Sequence, residues 1–329
     1  MREGNYVRVL IAGGTSFVGH AIAQTAHEAG HEVTLINRGR TLHDLPAGVE
    51  RLVGDRQGDL SALAGRSFDA TIDTIAYRPR DVSSLAGALA GRGGRHVQIS
   101  SISAYRPPTT AGATEEQCEL WDEEDLDPEG PITGTTYGPL KAACERAAHR
   151  AFGTDTLFVR PTYVIGARDV TFRLPYWVVR ATSGGAVAVP GPRANALQYV
   201  DARDLASFTV AQLDAGTTGA VHVAGPHPAP GYVESIERIV AHAGPPGARV
   251  VELDAQRVVA AGAADKFPLW GGPEDSTLMR LDSARAFGLG LRLRPLEESV
   301  DDVAAWWATQ HAPAWWLESA SERRLLEEG

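Results

Sequence analysis

Three stretches of this chain carry side chains whose types and spacing suit proton and hydride chemistry. "HVQISSISAY" closes an apolar run with Ser100, Ser101 and Ser103, and "TTYGPLKAACERAAH" carries Tyr137 and Lys141 at i and i+4. On a helix those two side chains share a face. A free tyrosine has a pKa of about 10, too high for a base near neutrality, so a neighbouring ammonium is needed to stabilise its phenolate. Lys141 is suited to that task. The third stretch, "VLIAGGTSFVGHAI", runs an apolar strand into a glycine turn and out into a helix. Gly13, Gly14 and Gly19 have the placement needed when a pyrophosphate rests on a helix N-terminus: the first permits the tight turn, and the last lets helix and strand pack closely. Ser16 stands where another glycine is expected. It adds bulk there, and its hydroxyl can donate to a phosphate oxygen.

The next apolar run ends "TLINRGR". An acidic residue at that point accepts hydrogen bonds from a ribose 2′-hydroxyl, whereas an arginine suits a 2′-phosphate. Asn37 replaces the acid and Arg38 follows, with Arg40 close behind, so NADP(H) is favoured and NAD(H) remains possible. The alternative is that both arginines are solvated loop charges.

These groups need a scaffold to hold them. With 329 residues, 43% of them apolar, the chain can bury one large core or two unequal domains. Its net charge of −10 offers no basic footprint for nucleic acid. Two cysteines, Cys118 and Cys144, are too few for a disulfide framework and fit a reducing compartment. The N-terminal "MREGNYVRVL" leads straight into a strand, and no run reaches the roughly 18 apolar residues of a membrane span, which points to the cytoplasm. Short β-rich runs alternate with helical stretches, the pattern of a parallel sheet covered on both faces. Strands are expected at 8–12, 32–36, 50–53, 70–75, 96–100, 156–159 and 220–223. The first crossover helix should run from about Val18 to Ala29, with Gly30 as its stop. After Pro161, dense proline and glycine predict a smaller lobe. The division expected is 1–165 as the core, 166–198 and 225–295 as the small lobe, and 199–224 and 296–329 returning to the core. "LEESVDDVAAWWATQ" reads as an amphipathic helix with Leu296, Val300, Val303 and Trp307 on one face, its tryptophans and Trp315 and Trp316 serving as packing anchors.

Together "GGTSFVG", "ISSISAY", "YGPLK", "VRPTYVIG", "QYVDARDLA" and "LGLRLRPLEESVDDVAAWW" resemble the extended short-chain dehydrogenase/reductase family, the group of NAD-dependent epimerases, dehydratases and reductases, over nearly the whole chain. The resemblance implies an α/β fold, a Rossmann-type doubly wound parallel sheet with a smaller C-terminal substrate lobe. It also implies a Ser-Tyr-Lys set: Tyr137 exchanges a proton with the substrate oxygen, Ser101 hydrogen-bonds that oxygen, and Lys141 holds the nicotinamide ribose. Ser101 is preferred to its neighbours because it lies four residues before Tyr105. Dinucleotide contacts are implied for Gly13, Thr15, Ser16, Phe17, Val18, Gly19, Asn37 and Arg38. Asp55 and Arg56 should lie near the adenine, Thr74, Ile75 and Ala76 along the pyrophosphate and ribose, and Pro161 and Val164 by the nicotinamide. Asp201 and Asp204 read as structural.

Dehydratases of that family carry an Asp-Glu pair directly after the catalytic hydroxyl. Ile102 and Ser103 occupy that place here, which disfavours dehydration. Hydride transfer to or from a carbonyl or alcohol carbon is the leading expectation, with nucleotide-sugar epimerisation as the alternative. A non-catalytic cofactor-binding or RNA-binding relative is less favoured, since it would be expected to lose Tyr137 or Lys141 or to gain a basic face. The substrate should be a small carbonyl compound or sugar derivative, met by Ser103, Phe172, Arg173, Trp177, Arg180, Arg193 and Gln198. Arg193 could contact a diphosphate or be a surface charge. No metal is expected, and a homodimer could form through the helix bearing Tyr137 and its neighbour near residues 81–90.

Overall fold

The computed structural model describes residues 7–40, 45–107, 109–124 and 126–327, so Met1–Tyr6 of the N-terminal stretch lie outside the described residues. The chain begins β1 (Arg8–Ala12), α1 (Phe17–Glu28), β2 (Glu32–Asn37), β3 (Glu50–Val53), β4 (Ala70–Asp73), α2 (Pro79–Leu89), β5 (Arg95–Ile99), α3 (Tyr137–Phe152) and β6 (Leu157–Pro161). It continues β7 (Tyr163–Ile165), α4 (Arg173–Thr182), β8 (Ala186–Pro190), β9 (Tyr199–Asp201), α5 (Ala202–Ala215), β10 (Gly219–Val223), α6 (Tyr232–Ala243) and β11 (Arg249–Leu253). The last helices are α7 (Ala255–Ala260), α8 (Ala284–Gly288), α9 (Leu296–Trp307) and α10 (Ser319–Glu327).

Seven strands form one sheet in the order β10-β6-β5-β4-β1-β2-β3, and every neighbouring pair is parallel. Helices on both faces explain why "RVLIA" and "LFVRP" are apolar almost throughout rather than alternating. The chain leaves β1 towards β2 and β3, then crosses back to lay β4 on the other side of β1. That reversal opens a crevice at the carboxyl ends of β1 and β4, where ligands of doubly wound sheets bind. All seven expected strands are present. β4 stops at Asp73 rather than Ile75, because the Thr74 N–H and hydroxyl both donate to the Ala12 carbonyl while the Ile75 N–H turns back to the Asp73 carboxylate. Helix α1 ends as expected on Gly30, whose φ of +91° suits a residue without Cβ; the Gly30 and His31 amides then close on the carbonyls of His27 and Ala26.

The chain divides into two compact units. The first runs to Thr162 and takes in Ala202–Ala224 and Leu281–Arg292; the second comprises Tyr163–Asp201, Gly225–Arg280 and the chain from Leu293 onward. Two expected assignments are thereby corrected. The segment from 296 lies with the second unit because Leu296, Val300 and Val303 are buried in its core with Leu174, Trp177 and Ile236. Residues 281–292 lie with the first, where Arg285 donates to the carbonyls of Thr218 and Ala220 beside β10, and Gln212 donates to the Leu289 carbonyl. Among the described residues no helix is long and apolar enough to cross a membrane.

His96, on β5, is fully buried and stacked on Phe152, ring centroids 3.9 Å apart. Burial, partly opposed by the Asp73 carboxylate, pushes its pKa down to about 4. An unfolded histidine titrates near 6.5, so between those values the unfolded chain binds more protons. The stabilisation is complete above about pH 6.5 and drains away as the pH falls towards 4, by up to about 3 kcal/mol. His96→Phe keeps the ring stack and removes the titration. Urea midpoints at pH 7 and pH 4.5 should therefore differ less in the variant than in the wild type; an equal difference in both proteins contradicts the assignment.

Candidate active site

The crevice is built on the turn after β1. Gly13 adopts φ +106°, and a Cβ there would lie 2.3 Å from the Thr74 hydroxyl, so the turn closes only around a glycine. Gly19 packs α1 onto the same turn, since its Cβ would stand 2.7 Å from the Gly14 nitrogen. Ser16 is extended and precedes the first helical residue, Phe17, and its hydroxyl makes no capping bond. The N-terminal amides of α1 therefore face a pocket lined by Gly13, Thr15 and Ser16 at one side and by Asn37, Arg38 and Arg40 at another.

Asp55, Arg56 and Ile75 complete the expected residues of this pocket. Arg56 is more constrained than its type alone indicates. Its guanidinium makes two 3.0 Å bonds to the carboxylate of Asp73, which is fully buried. Burial alone would raise the Asp73 pKa, but the facing guanidinium outweighs it and holds the carboxyl below its usual range. Leu60, Leu85, Ile36, Tyr77, Arg78 and Ile132 also line the pocket and were not anticipated. Of these only Ile36, the last residue of an expected strand, left a trace in the sequence; Tyr77 and Arg78 follow Ala76 in a run with no distinctive pattern.

Lys141 lies on α3, one turn after Tyr137, and is almost wholly buried. Its ammonium donates to the carbonyls of Ile99 at 2.8 Å and Ala76 at 3.1 Å, the exits of β5 and β4, and stands 6.0 Å from the centre of the Tyr137 ring. Burial disfavours the charge, but the neighbouring Tyr137, Cys144, Tyr77 and Asp73 more than offset this, and the Lys141 pKa is raised. The ammonium stays charged. Gly138 brings the start of α3 against the turn after β5: a Cβ there would lie 2.2 Å from the Ser103 carbonyl. Tyr137 thus begins its helix beside the turn carrying Ser101. The Ser101 hydroxyl oxygen accepts the Ser103 N–H at 3.1 Å, which leaves its own proton to be given elsewhere.

A buried polar chain, unforeseen from the sequence, sits behind these residues. Glu145, one turn beyond Lys141, accepts from Ser100 at 2.5 Å and from Arg160 of β6 at 2.9 and 2.5 Å. Arg160 also donates to the Tyr105 hydroxyl at 2.6 Å, and Tyr105 meets Nε2 of His222 on β10. His222 Nδ1 faces the Asp282 carbonyl, which can only accept, so Nδ1 carries the proton and Nε2 accepts from Tyr105. Burial keeps the ring neutral by lowering its pKa. The Glu145 and Ser100 contacts tie α3 to the strand end that carries Ser101.

The remaining expected residues fall differently. Thr74 and Ala76 sit at the β4 exit, and Pro161 closes β6. Val18 lies in the first turn of α1, whereas Val164 belongs to the second unit. Ser103 is half-buried on the turn beside α3. The substrate candidates of the second unit need correction. Trp177 is fully buried and donates to the Pro268 carbonyl, so it is a core residue. Gln198 is fully buried too. Arg193 spends its charge on Glu237 and Glu252, and Arg180 on Glu322. Phe172 packs within 6.3 Å of Trp306, Trp307 and Trp316, which act as the expected packing anchors, and Arg173 lies over the Tyr163 ring.

A doubly wound sheet with a glycine turn at its reversal point, beside a helix presenting Tyr137 and a buried Lys141, defines a dinucleotide-dependent enzyme. Residues 9–225 match the NAD dependent epimerase/dehydratase family, and the chain belongs to that family. It is 30% identical over 253 residues to the 2'-dehydrokanamycin reductase of Streptomyces kanamyceticus, covering 72% of this chain and 67% of that one. Its fold is similar to that of UDP-N-acetylglucosamine 4-epimerase from Bacillus cereus, with a TM-score of 0.69, 17% identity and 94% and 100% of the two chains covered. It is also similar to Bordetella bronchiseptica WbmH, solved with NAD+, with a TM-score of 0.66, 21% identity and coverage of 93% and 100%.

Glu145→Leu tests the buried pairing. Removing one partner of a buried ion pair strands the other, here Arg160, and should cost about 3 to 5 kcal/mol in denaturant unfolding. A loss below about 1 kcal/mol, the value of an exposed pair, would contradict the burial.

Proposed function

We propose that this enzyme is an NADP(H)-dependent reductase or dehydrogenase acting on the carbonyl or alcohol carbon of a small molecule. The observation that carries the reading is the end of β2, where Asn37 stands in place of a carboxylate. Arg38 and Arg40 line the same pocket, exposed and without an ion pair among the described residues. Two further features support a dinucleotide here. Asn37 Nδ2 and Arg78 Nε are buried donors without a partner among the described residues, on residues lining the pocket, and such donors suit a ligand rich in acceptors.

In this reading Gly13, Thr15 and Ser16 receive the pyrophosphate at the α1 N-terminus. Arg38 and Arg40 face the 2′-phosphate, and Ile36, Leu60 and Leu85 provide apolar wall for the adenine. The bound dinucleotide supplies or accepts the hydride. Lys141 holds the ribose on the nicotinamide side and sets its ammonium beside the Tyr137 ring. Tyr137 gives its proton to the carbonyl oxygen in reduction and takes it back in oxidation. Ser101, whose oxygen already accepts a backbone amide, donates to that same substrate oxygen.

Ile102 and Ser103 after Ser101 supply no acid–base pair for dehydration. The name of the Streptomyces relative, a reductase of a dehydro compound, supports reduction; the epimerase folds support the second reading, nucleotide-sugar epimerisation. Side-by-side packing of α2 on α3 supports a homodimer through their outer faces, and two free thiols support a cytoplasmic setting.

The two readings separate on cofactor turnover. A reductase releases oxidised cofactor each cycle, so the purified protein should arrive largely empty and consume NADPH steadily with a suitable carbonyl compound. Tyr137→Phe should lower turnover at least about 100-fold with little change in cofactor affinity, whereas Lys141→Met should damage both. Stoichiometric NAD released by heat, with no net NADPH consumption, would favour the epimerase; retained turnover in Tyr137→Phe would overturn the assignment of the proton donor.

A further inference from the structure

We infer that Arg51 is a positioning residue for cofactor choice, acting through Asn37. The inference rests on the dinucleotide reading given above. Arg51 sits on β3, two residues before the Val53 that pairs with Asn37, and its side chain reaches diagonally across the strand pair. Its Nε and Nη2 donate to Asn37 Oδ1 at 3.2 and 3.0 Å, and the Gly39 N–H donates to the same oxygen at 2.9 Å. Three donors on one amide oxygen fix which way the amide faces. Turning it over would set the amide NH2 against a guanidinium and a backbone N–H, donor against donor.

The consequence falls on Nδ2, which is buried and has no partner among the described residues, on a residue lining the pocket. Held in this way, Asn37 offers a proton and accepts none. A ribose 2′-hydroxyl seeking an acceptor at this position finds a saturated carbonyl. A 2′-phosphate brings only acceptor oxygens and satisfies the stranded donor, with Arg38 and Arg40 beside it. The two carboxylates among the pocket-lining residues each hold a backbone turn, Asp55 accepting the Gln57 amide and Asp81, through Oδ2, the Tyr77 and Arg78 amides at the start of α2; Asp81 Oδ1 has no partner among the described residues, so the acceptor is withheld at the Asn37 position and not throughout the pocket. Discrimination against the unphosphorylated ribose is thus built on the β2–β3 pair as well as on the exposed arginines.

The test is calorimetric titration of 2′,5′-ADP, 5′-AMP and reduced nicotinamide mononucleotide into wild type, Arg51→Met, Arg51→Lys and Asn37→Asp. The wild type should bind 2′,5′-ADP more tightly than 5′-AMP. Arg51→Met should shrink that ratio about tenfold, the worth of one charge-assisted contact, while leaving the mononucleotide unchanged. Arg51→Lys, which still offers donors to Oδ1, should recover part of the ratio, and Asn37→Asp should turn the preference towards 5′-AMP. β3 is an edge strand and Arg51 is half-buried, so unchanged mononucleotide binding also serves as the check on folding. A wild type that prefers 2′,5′-ADP while Arg51→Met keeps the same ratio overturns the inference alone. A wild type that binds none of the three probes overturns the dinucleotide reading and this inference with it.

Discussion

The ammonium of Lys141 is a buried cation gripped by the carbonyls at the exits of β4 and β5, and the architecture of the first unit follows from accommodating it. A charge in that position is tolerable only with several partners close by. The strand exits supply two, and the acidic and phenolic groups around it keep it protonated. Because one carbonyl ends β5 and the other lies in the turn that follows β4, the helix that carries Lys141 is registered to the strand ends, and Tyr137 one turn earlier is registered with it. The Glu145–Arg160 pair repeats the device one turn later, so α3 is pinned at two points along its buried face.

A second set of buried charges shapes the pocket side. Arg56 and Asp73 neutralise each other beneath the crevice, whereas Arg38 and Arg40 are left to solvent. Cations paired internally stiffen the wall; those without an ion pair among the described residues are available to an anion. The same division distinguishes Asn37, whose oxygen is spent on the protein, from its nitrogen, which is not.

What was legible in the sequence was local. The strand–glycine–helix run, the i, i+4 spacing of Tyr137 and Lys141, and the apolar strands all express short-range geometry, and each of these elements is present. What was not legible depended on residues far apart in the chain. Arg56 and Asp73, Arg51 and Asn37, and Glu145 and Arg160 are joined only once the parallel strands are in register. Residue type also misled where burial decides the role: Trp177 and Gln198 have the chemistry of ligand contacts but are sealed in protein, and Arg193 answers to two glutamates. The return of residues 281–292 to the first unit was hidden for the same reason, since Arg285 is held there by the backbone carbonyls of a strand edge and not by any pattern in its own segment.

In the proposed enzyme the β4 and β5 exits, through Lys141, fix where the reacting end of the cofactor sits. A crystal structure of the protein with NADPH bound tests it most directly. The account predicts a ribose hydroxyl of the nicotinamide half within about 3.2 Å of the Lys141 ammonium, the nicotinamide between Tyr137 and Ser101, and the adenosine 2′-phosphate against Asn37. A dinucleotide bound the other way round, or with its nicotinamide ribose out of reach of Lys141, would contradict it.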